Sequence, residues 1–329
     1  MRARYLDMKA MAASAYGPLE GLKQMDLPLP TPGRGEVRVR VVASALNPAD
    51  YKVLLGKMKF LHGRNRPLVL GYDFSGTVDA VGPDVNERSV GEEVFGFLPY
   101  GPFNKRGAFA EALIAKCDEI GVKPKGVPHE VAAASATTGL TAIQSIRDLG
   151  RLPASGGQVL VTGVSGGVGS IAVGVAQKLN ASVTAVGSGA GLDLARRLGA
   201  VRVLDRTQDE LPGSMQSQLD GQFDVVFDAA AAYRWRKWRG TLKTGGAFVT
   251  TLPSFTFAAD KAASLFARTR VHFVNVKSRP ADLALLAGWL EQGLKVPLAA
   301  TILVRDLAQG LAQLQKSGGR ISVRVVDGF

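Results

Sequence analysis

The chain has 329 residues, with 40 lysines and arginines against 28 aspartates and glutamates, and a formal charge of +12. This length predicts two domains, and 46% apolar with 21% charged residues excludes a disordered or collagen-like chain. The single cysteine, Cys117, excludes an internal disulfide framework and a zinc site built from several thiolates. No apolar run reaches the about 18 residues that a membrane-spanning helix needs. We expect a cytoplasmic protein without a membrane span.

The excess positive charge is spread along the chain, with two local concentrations. The first is a basic loop that contains Lys57, Lys59, Arg64 and Arg66. The second, YRWRKWRG at 233–240, alternates arginines with two tryptophans. Such interleaving can bind single-stranded nucleic acid, whereas an amphipathic surface helix would turn the tryptophans to the core and the arginines to water. We favour the helix, so nucleic acid is not an expected partner.

The first 126 residues are predicted to be rich in β-strands. Residues 36–44, 73–82 and 92–99 combine β-branched or aromatic residues with glycine and proline boundaries. A helical segment starts at about residue 127, and short apolar strands then alternate with helices. This alternation is typical of the α/β class and predicts a doubly wound parallel sheet.

The tail of the chain returns to strands and ends with ISVRVV at 321–326. We therefore expect a β-rich domain that is split around a nucleotide-binding one. The predicted split domain covers 1–126 and 279–329, and the predicted nucleotide-binding domain covers 127–278.

The strongest local signal is VLVTGVSGGVGS at 159–170, where a buried strand runs into glycines and then into a helix. Glycine permits the tight turn and lets the backbone approach a pyrophosphate, and the helix N-terminus supplies free N–H groups and positive dipole. Within an alternating strand–helix series this order is specific. It predicts that the domain binds a dinucleotide.

The type of dinucleotide depends on the end of the second strand. NAD-selective domains place an acid about 20 residues past the glycines to hold the adenosine ribose. Here Ser188 stands at that distance, and Arg206 follows the next strand. A hydroxyl removes repulsion against a 2′-phosphate, and an arginine can supply positive charge. We expect NADPH, with NADH as the alternative.

Several ordered segments resemble the medium-chain dehydrogenase/reductase superfamily: NPADYK, PLVLGYDFSGTVDAVG, AAASATTGLTA, VLVTGVSGGVGSIAV and LARRLGAVRVLD. More narrowly, they resemble its zinc-free quinone oxidoreductase branch, which includes quinone, enone and enoyl-thioester reductases. The resemblance implies a Rossmann doubly wound parallel sheet domain plus a β-rich GroES-like catalytic domain. It also implies a homodimer, joined through the last Rossmann strand, VHFVNV at 271–276.

The resemblance also bears on zinc. Zinc-dependent members carry their ligands where this chain has Asn47, Tyr72–Asp73 and Ala134. All three positions are replaced, so no zinc is expected. Without a Lewis acid, alcohol oxidation is disfavoured, whereas hydride delivery to a conjugated carbonyl or a quinone is feasible.

The implied activity is an NAD(P)H-dependent reductase of quinones or enones, small-molecule substrates. One alternative is an enoyl-thioester reductase, in which the basic loop holds the phosphates of coenzyme A or a carrier protein. An alternative of another class is a cofactor-binding protein that acts by binding RNA or a protein, with little turnover.

The resemblance assigns roles to individual residues. Asn47 is expected to face the nicotinamide ribose and the substrate, and Tyr51 and Tyr72 are candidate proton donors, although a structural role is open for both tyrosines. The expected cofactor contacts are the pyrophosphate turn, the strand ends and a basic residue before the last strand: Thr138, Ser165, Gly166, Gly167, Val168, Ser188, Arg206, Thr251, Leu252 and Arg320.

Overall fold

Both ends of the chain build one unit, and the middle builds another. The structure is a computed structural model that describes residues 7–59, 66–99, 107–208, 219–317 and 319–329, with the backbone alone at 315–317. The first unit takes its residues from Met1–Thr137, Lys277–Gly293 and Leu298–Phe329, and the second from Thr138–Val276 and Leu294–Pro297.

Strands dominate the first part of the chain because β-branched residues alternate with polar ones. In EVRVRVVASA, for example, Val37, Val39 and Val41 are at most 2% exposed, whereas the Arg40 side chain points to solvent. The elements here are β1 (Asp7–Ala13), β2 (Leu22–Pro28), β3 (Glu36–Ala45), α1 (Pro48–Leu54), β4 (Leu68–Val69), β5 (Asp73–Val81), β6 (Glu93–Phe97), β7 (Ala112–Lys116) and β8 (Ile120–Val122).

Helix α2 (His129–Ile143) follows and continues as a π-helical segment, Gln144–Leu149. Strands and helices then alternate, as the apolar runs predict. They are β9 (Gly157–Thr162), α3 (Gly167–Lys178), β10 (Ala181–Gly187), α4 (Ala190–Arg197), β11 (Arg202–Asp205), β12 (Phe223–Asp228), α5 (Trp235–Trp238), β13 (Leu242–Thr250), α6 (Phe257–Phe266) and β14 (Arg270–Phe273). The tail forms α7 (Pro280–Glu291), β15 (Ala300–Leu303), α8 (Leu307–Ser317) and β16 (Ile321–Arg324).

The main sheet of the first unit joins the two ends of the chain. Among the described residues its order is β15-β16-β3-β5-β6-β8, with β7 also paired to β3, and a smaller sheet has the order β2-β1-β4. Ala45 of β3 lies opposite Ser322 of β16 on one side and opposite Asp73 of β5 on the other. This register brings the segment before β16 close to the ends of β3 and β5.

The sheet of the second unit is parallel throughout the described residues, with the order β11-β10-β9-β12-β13-β14. The predicted doubly wound α/β sheet is therefore confirmed. The strand order reverses where β9 lies between β10 and β12. In such sheets ligands bind outside the carboxyl ends of the strands at this reversal.

The basic-aromatic segment forms helix α5, whose tryptophans face the core. Trp235 is 1% exposed and Trp238 is fully buried. Arg234 and Arg236 lie outside, with their nitrogens 3.4 and 3.0 Å from Oδ1 of Asp260. The rings are inaccessible for stacking on bases, as the amphipathic interpretation predicts.

One sequence expectation differs in detail. The strand expected at 271–276 ends at Phe273. In the part of the chain that the structure describes, no helix combines the length and hydropathy that crossing a bilayer requires.

Candidate active site and nucleotide-binding turn

The turn between β9 and α3 carries the glycines expected to face a pyrophosphate. Gly163 has a φ of +69°, in the left-handed region that favours glycine. The N–H groups in the first turn of helix α3 have no acceptor within the helix and carry partial positive charge, and no side chain caps them. The predicted pyrophosphate residues are exposed or half-buried at this end: Ser165, Gly166, Gly167 and Val168.

The shape of the turn fits a pyrophosphate. A Cβ on Gly169 would lie 2.2 Å from the carbonyl oxygen of Gly163, and a Cβ on Gly191 would lie 2.7 Å from the Cβ of Ser165. Close packing of α3 and α4 against the turn therefore requires glycine at these two positions. A Cβ on Gly166, by contrast, would meet nothing closer than 3.3 Å. The turn is thus closed toward the sheet and open at the helix N-terminus, where an anion can approach the backbone.

Ser188 and Arg206 lie at adjacent strand ends. Gly187 of β10 pairs with Asp205 of β11, and the N–H of Arg206 donates to the Gly187 carbonyl at 2.9 Å. Ser188 is half-buried and Arg206 is exposed. The Asp205 carboxylate accepts the hydroxyl and the N–H of Thr207, which lowers its pKa. The structure therefore brings the predicted 2′-phosphate residues together at the carboxyl ends of β10 and β11.

Sequence analysis missed Asp228, the fully buried last residue of β12. Its Oδ1 accepts the Thr162 hydroxyl at 2.6 Å, and its Oδ2 accepts the N–H of Tyr233 at 2.8 Å. Burial raises the pKa of Asp228, although these hydrogen bonds oppose the rise. The carboxylate ties the end of β9 to the loop after β12, beside the phosphate turn. An acid that ends an apolar strand was the available signal.

The remaining cofactor candidates of the second unit lie on two elements. Thr138 belongs to α2 and is 2% exposed. Thr251 follows β13, and its N–H donates to the Asp228 carbonyl at 3.3 Å. The Leu252 carbonyl accepts the Thr250 hydroxyl at 3.2 Å, so one of its lone pairs already has a partner. The expected roles of Thr138, Thr251 and Leu252 stay predictions.

In the first unit, one buried guanidinium gathers residues from distant parts of the sequence. Arg320 is 3% exposed, and its Nη2 donates to Oδ2 of Asp73 at 2.5 Å. Its Nη1 donates to Oδ1 of Asn47 at 2.8 Å and to the Leu46 carbonyl at 2.7 Å. Its Nε donates to the Ala134 carbonyl at 2.8 Å. We call Arg320, Asp73 and Asn47 the guanidinium network.

Asp73 completes this network from a fully buried position. Its Oδ2 also accepts Nδ2 of Asn47 at 2.7 Å, and its Oδ1 accepts the N–H of Thr137 at 2.7 Å. Both ends of the Asn47 amide are therefore engaged, and this side chain is only 6% exposed. The described contacts of Arg320 lie within the first unit, so the cofactor contacts expected of Arg320 and Asn47 stay predictions.

A second buried acid, Asp50, lies beside the network. Asn47 precedes α1, and its N–H donates to Oδ2 of Asp50 at 2.7 Å. The N–H of Gly71 donates to Oδ1 of Asp50 at 3.0 Å. Burial raises the pKa of Asp50 from its ordinary 3.8 to about 7; the two backbone hydrogen bonds oppose this rise, Asp73 adds to it and Arg320 lowers it. Sequence analysis did not single out Asp50.

The two candidate proton donors belong to the hydrophobic core of the first unit. Tyr72 is 2% exposed within that core, and the half-buried Tyr51 packs against it from α1. Core packing therefore contributes to the position of both phenols. Their catalytic role stays a prediction.

The basic loop lies only partly within the described residues. Arg64 falls outside them, while Lys57 and Lys59 follow α1. The guanidinium carbon of Arg66 lies 4.0 Å from the ring centroid of Tyr16, a cation–π distance. Arg66 is therefore already engaged by an aromatic ring.

Two family models and several relatives match this chain. The family described as Alcohol dehydrogenase GroES-like domain matches residues 33–144, and the one described as Zinc-binding dehydrogenase matches residues 167–251. A relative from Spinacia oleracea, "Quinone-oxidoreductase homolog, chloroplastic", is 31% identical over 76% of this chain and 76% of that protein. The "2-methylene-furan-3-one reductase" of Solanum lycopersicum is 31% identical over 83% of this chain and 71% of that protein.

The solved structures agree with the fold. The quinone oxidoreductase from Coxiella burnetii has a TM-score of 0.84 at 24% identity, with 97% of this chain and 100% of that chain covered. At this identity the match concerns the fold alone. Together with the two family models and the relatives of 31% identity, it shows that the chain belongs to the medium-chain dehydrogenase/reductase superfamily of oxidoreductases, in its quinone oxidoreductase branch.

Proposed function

We propose that this chain is a zinc-independent reductase that uses NADPH to reduce a quinone or an α,β-unsaturated carbonyl. The observation that carries the proposal is the guanidinium network, which stands where zinc-dependent members of the superfamily are expected to hold their metal. The relatives support the substrate class, since one is named as a quinone oxidoreductase homolog and another as the reductase of a conjugated ketone.

The residues at the zinc-associated positions do not fit a catalytic zinc site. Asn47 offers an amide, Ala134 a methyl group, and Asp73 a carboxylate that already binds a guanidinium. Protein-bound zinc takes thiolate, imidazole or carboxylate ligands, and the Arg320 cation at this place would repel a second cation. Within the described residues, no group of three or more His, Cys, Asp or Glu side chains could hold a metal ion.

Reduction without a metal leaves two tasks to the protein: holding the substrate carbonyl and supplying a proton. Reduction of an enone adds a hydride to the β-carbon and a proton to the α-carbon, while a quinone gains the same hydride and proton to become a hydroquinone. When bound, NADPH supplies the hydride. The phenols of Tyr51 and Tyr72 are the candidates for holding the carbonyl oxygen or donating the proton.

The placement of Ser188 and Arg206 after neighbouring strand ends supports NADPH as the preferred cofactor. Ser188 lacks the negative charge that would repel a 2′-phosphate, and the exposed Arg206 next to it can pair with that phosphate. NADH, which lacks this phosphate, gains nothing from Arg206.

The free edge of the second unit's sheet supports the expected homodimer. Among the described residues β14 pairs on one side only, and unpaired strand edges readily add another strand. Apolar side chains are exposed around β14 and the end of β13: Leu252, Phe255, Leu265, Phe266 and Phe273. We propose that a second copy covers this surface.

The expected cytoplasmic location also stays a prediction, since the spinach relative is named chloroplastic.

The proposed activity is tested with a panel of quinones, simple enones and crotonyl-CoA, each assayed with NADPH and NADH, alongside metal analysis of the protein. We expect turnover of a quinone or enone above about 1 s⁻¹ with NADPH, within the usual range of enzymes. We also expect no stoichiometric zinc. A double variant, Lys57→Gln with Lys59→Gln, is assayed in parallel. It tests whether the basic loop contributes to binding of the thioester substrate.

Three results would change this assignment. Stoichiometric zinc that is required for turnover would contradict the metal-free reaction. A marked preference for crotonyl-CoA that the lysine variant abolishes would favour the enoyl-thioester reductase. Absence of turnover with every substrate, together with salt-sensitive RNA binding, would favour the non-enzymatic alternative.

The phosphate turn is tested by Gly169→Ala. The new Cβ would collide with the backbone of Gly163, so the turn must shift and NADPH binding should weaken at least about tenfold. Gly288→Ala, where a Cβ meets nothing within 4 Å, is the control. Titration of NADPH fluorescence measures both affinities, and equal affinities would contradict a pyrophosphate site at this turn.

Cofactor choice is tested by Arg206→Ala. Loss of a charge-assisted pair with the 2′-phosphate should raise the dissociation constant for NADPH by about 10- to 100-fold and leave that for NADH unchanged. Arg197→Ala removes an exposed cation from the last turn of α4, away from the strand ends, and serves as control. If the affinities for NADPH and NADH fall equally, Arg206 does not bind the 2′-phosphate.

The proposed dimer is tested by Phe266→Glu. Phe266 is 93% exposed next to β14, and a buried carboxylate in the interface would be costly, so the sedimentation coefficient should shift from that of a dimer to that of a monomer. Val201→Glu changes an exposed apolar residue beside β11, at the opposite edge of the sheet. Dissociation by the Val201 variant instead would place the interface at that other edge.

A further inference from the structure

We propose that Asp50 is a positioning residue whose carboxylate clamps the loop at Asn47 to the strand entry at Gly71. The clamp would hold the candidate catalytic side chains of Asn47, Tyr51 and Tyr72 in one arrangement. The kinetic part of this inference rests on the proposed reductase function, whereas the clamp itself is a property of the first unit.

The clamp is built from two backbone hydrogen bonds to one side chain. Oδ2 of Asp50 holds the N–H of Asn47 at 2.7 Å, and Oδ1 holds the N–H of Gly71, 21 residues further along, at 3.0 Å. Asp50 is fully buried, so water cannot reach it to replace either bond. The two segments are therefore linked through this single carboxylate.

The strand entry at Gly71 packs closely against the segment at Phe109 on the side that a side chain would occupy. Gly71 has a φ of +92°, and a Cβ at this position would lie 2.9 Å from the backbone nitrogen of Phe109. Tyr72 and Asp73 follow directly, the first in the core and the second in the guanidinium network. A change at the Gly71 N–H therefore reaches both the candidate catalytic phenol and the network.

Protonation of Asp50 removes one of the two hydrogen bonds that form the clamp. A carboxylate accepts at both oxygens, whereas a carboxylic acid carries a hydroxyl on one of them and loses an acceptor. The charged groups that act on Asp50 are Asp73 of β5 and Arg320 before β16, and the pKa of Asp50 lies at about 7 chiefly because it is buried. The clamp is therefore closed above about pH 7 and opens as the pH falls.

The same group acts on stability in the opposite direction. Its pKa is raised in the folded protein, so the folded state binds more protons than the unfolded state between the ordinary 3.8 and about 7. The contribution of Asp50 to stability is therefore present at low pH and is lost as the pH rises through about 7. As the pH rises toward about 7, the clamp closes while the contribution of Asp50 to the stability of the fold is lost. Measurements of kinetics and of stability over this range therefore distinguish the two roles.

The chain offers a matched control. Helix α7 begins with Pro280-Ala281-Asp282, the same tripeptide as Pro48-Ala49-Asp50 at the start of α1. Asp282 is 2% exposed and lies 3.7 Å from Arg279, outside the guanidinium network. Asp282→Asn thus makes the same substitution at the same helix position, away from the candidate site.

The test compares wild type, Asp50→Asn and Asp282→Asn between pH 6 and pH 8. For wild type and Asp282→Asn, kcat should fall about tenfold from pH 8 to pH 6, as a pKa near 7 requires. Asp50→Asn should show about a tenfold lower kcat at pH 8, little change in KM and no pH dependence in this range, because its amide accepts only one N–H.

Hydrogen exchange of the peptides that contain Asn47 and Gly71 provides a readout that needs no substrate. After correction for intrinsic exchange, protection in the wild type should rise from pH 6 to pH 8. If no substrate of the panel is turned over, the proposed function fails, but this protection still decides on the clamp. Protection that does not change with pH, or an Asp50→Asn enzyme with the wild-type kcat and pH profile, would overturn the proposal. If Asp50→Asn does not fold, the wild-type pH series alone decides.

Discussion

The buried pair of Arg320 and Asp73 is the constraint on which the candidate site depends. Breaking such a pair by removing one partner leaves an uncompensated charge in the interior, which typically costs about 3–5 kcal/mol. The guanidinium offsets its desolvation penalty by donating to two backbone carbonyls and the Asn47 amide as well as to the carboxylate. One cation thus fixes the ends of β3 and β5 and the start of β16 to each other. The proposed zinc-independent reaction is consistent with this arrangement, because an organic cation organises these loops.

Burial raises the pKa of Asp50, and the charges of this pair modify that rise. Arg320 carries one positive charge, and Asp73 already compensates it. Asp50 is a second, fully buried carboxyl group beside this pair, and its pKa of about 7 makes its ionisation depend on pH. The network therefore combines a fixed charge pair with a third group whose charge is conditional. Buried groups of this kind are common where geometry serves chemistry more than stability.

Local patterns predicted the architecture well. The strand–glycine–helix order at 159–170 specifies both the turn and its ligand class, because its physics lies within a dozen residues. The parallel sheet followed from alternating apolar runs for the same reason. The partners of Arg320 lie between 186 and 274 residues away, and no periodicity reports such a contact. The family resemblance pointed to Arg320, but the acid that binds it became visible only in three dimensions.

Identical tripeptides show the same limit, since Pro-Ala-Asp starts both α1 and α7 and only one copy joins the site.

The position of Arg320 has a further consequence for synthesis of the chain. Arg320 lies 247 residues after Asp73, so the ribosome makes Asp73 and Asn47 long before their cation exists. Domains tend to fold as units while the chain emerges, yet this unit stays incomplete until Arg320 has been made. The guanidinium network therefore forms only after the whole second unit has been made, and release of the nascent chain before Arg320 would leave Asp73 without this counter-ion.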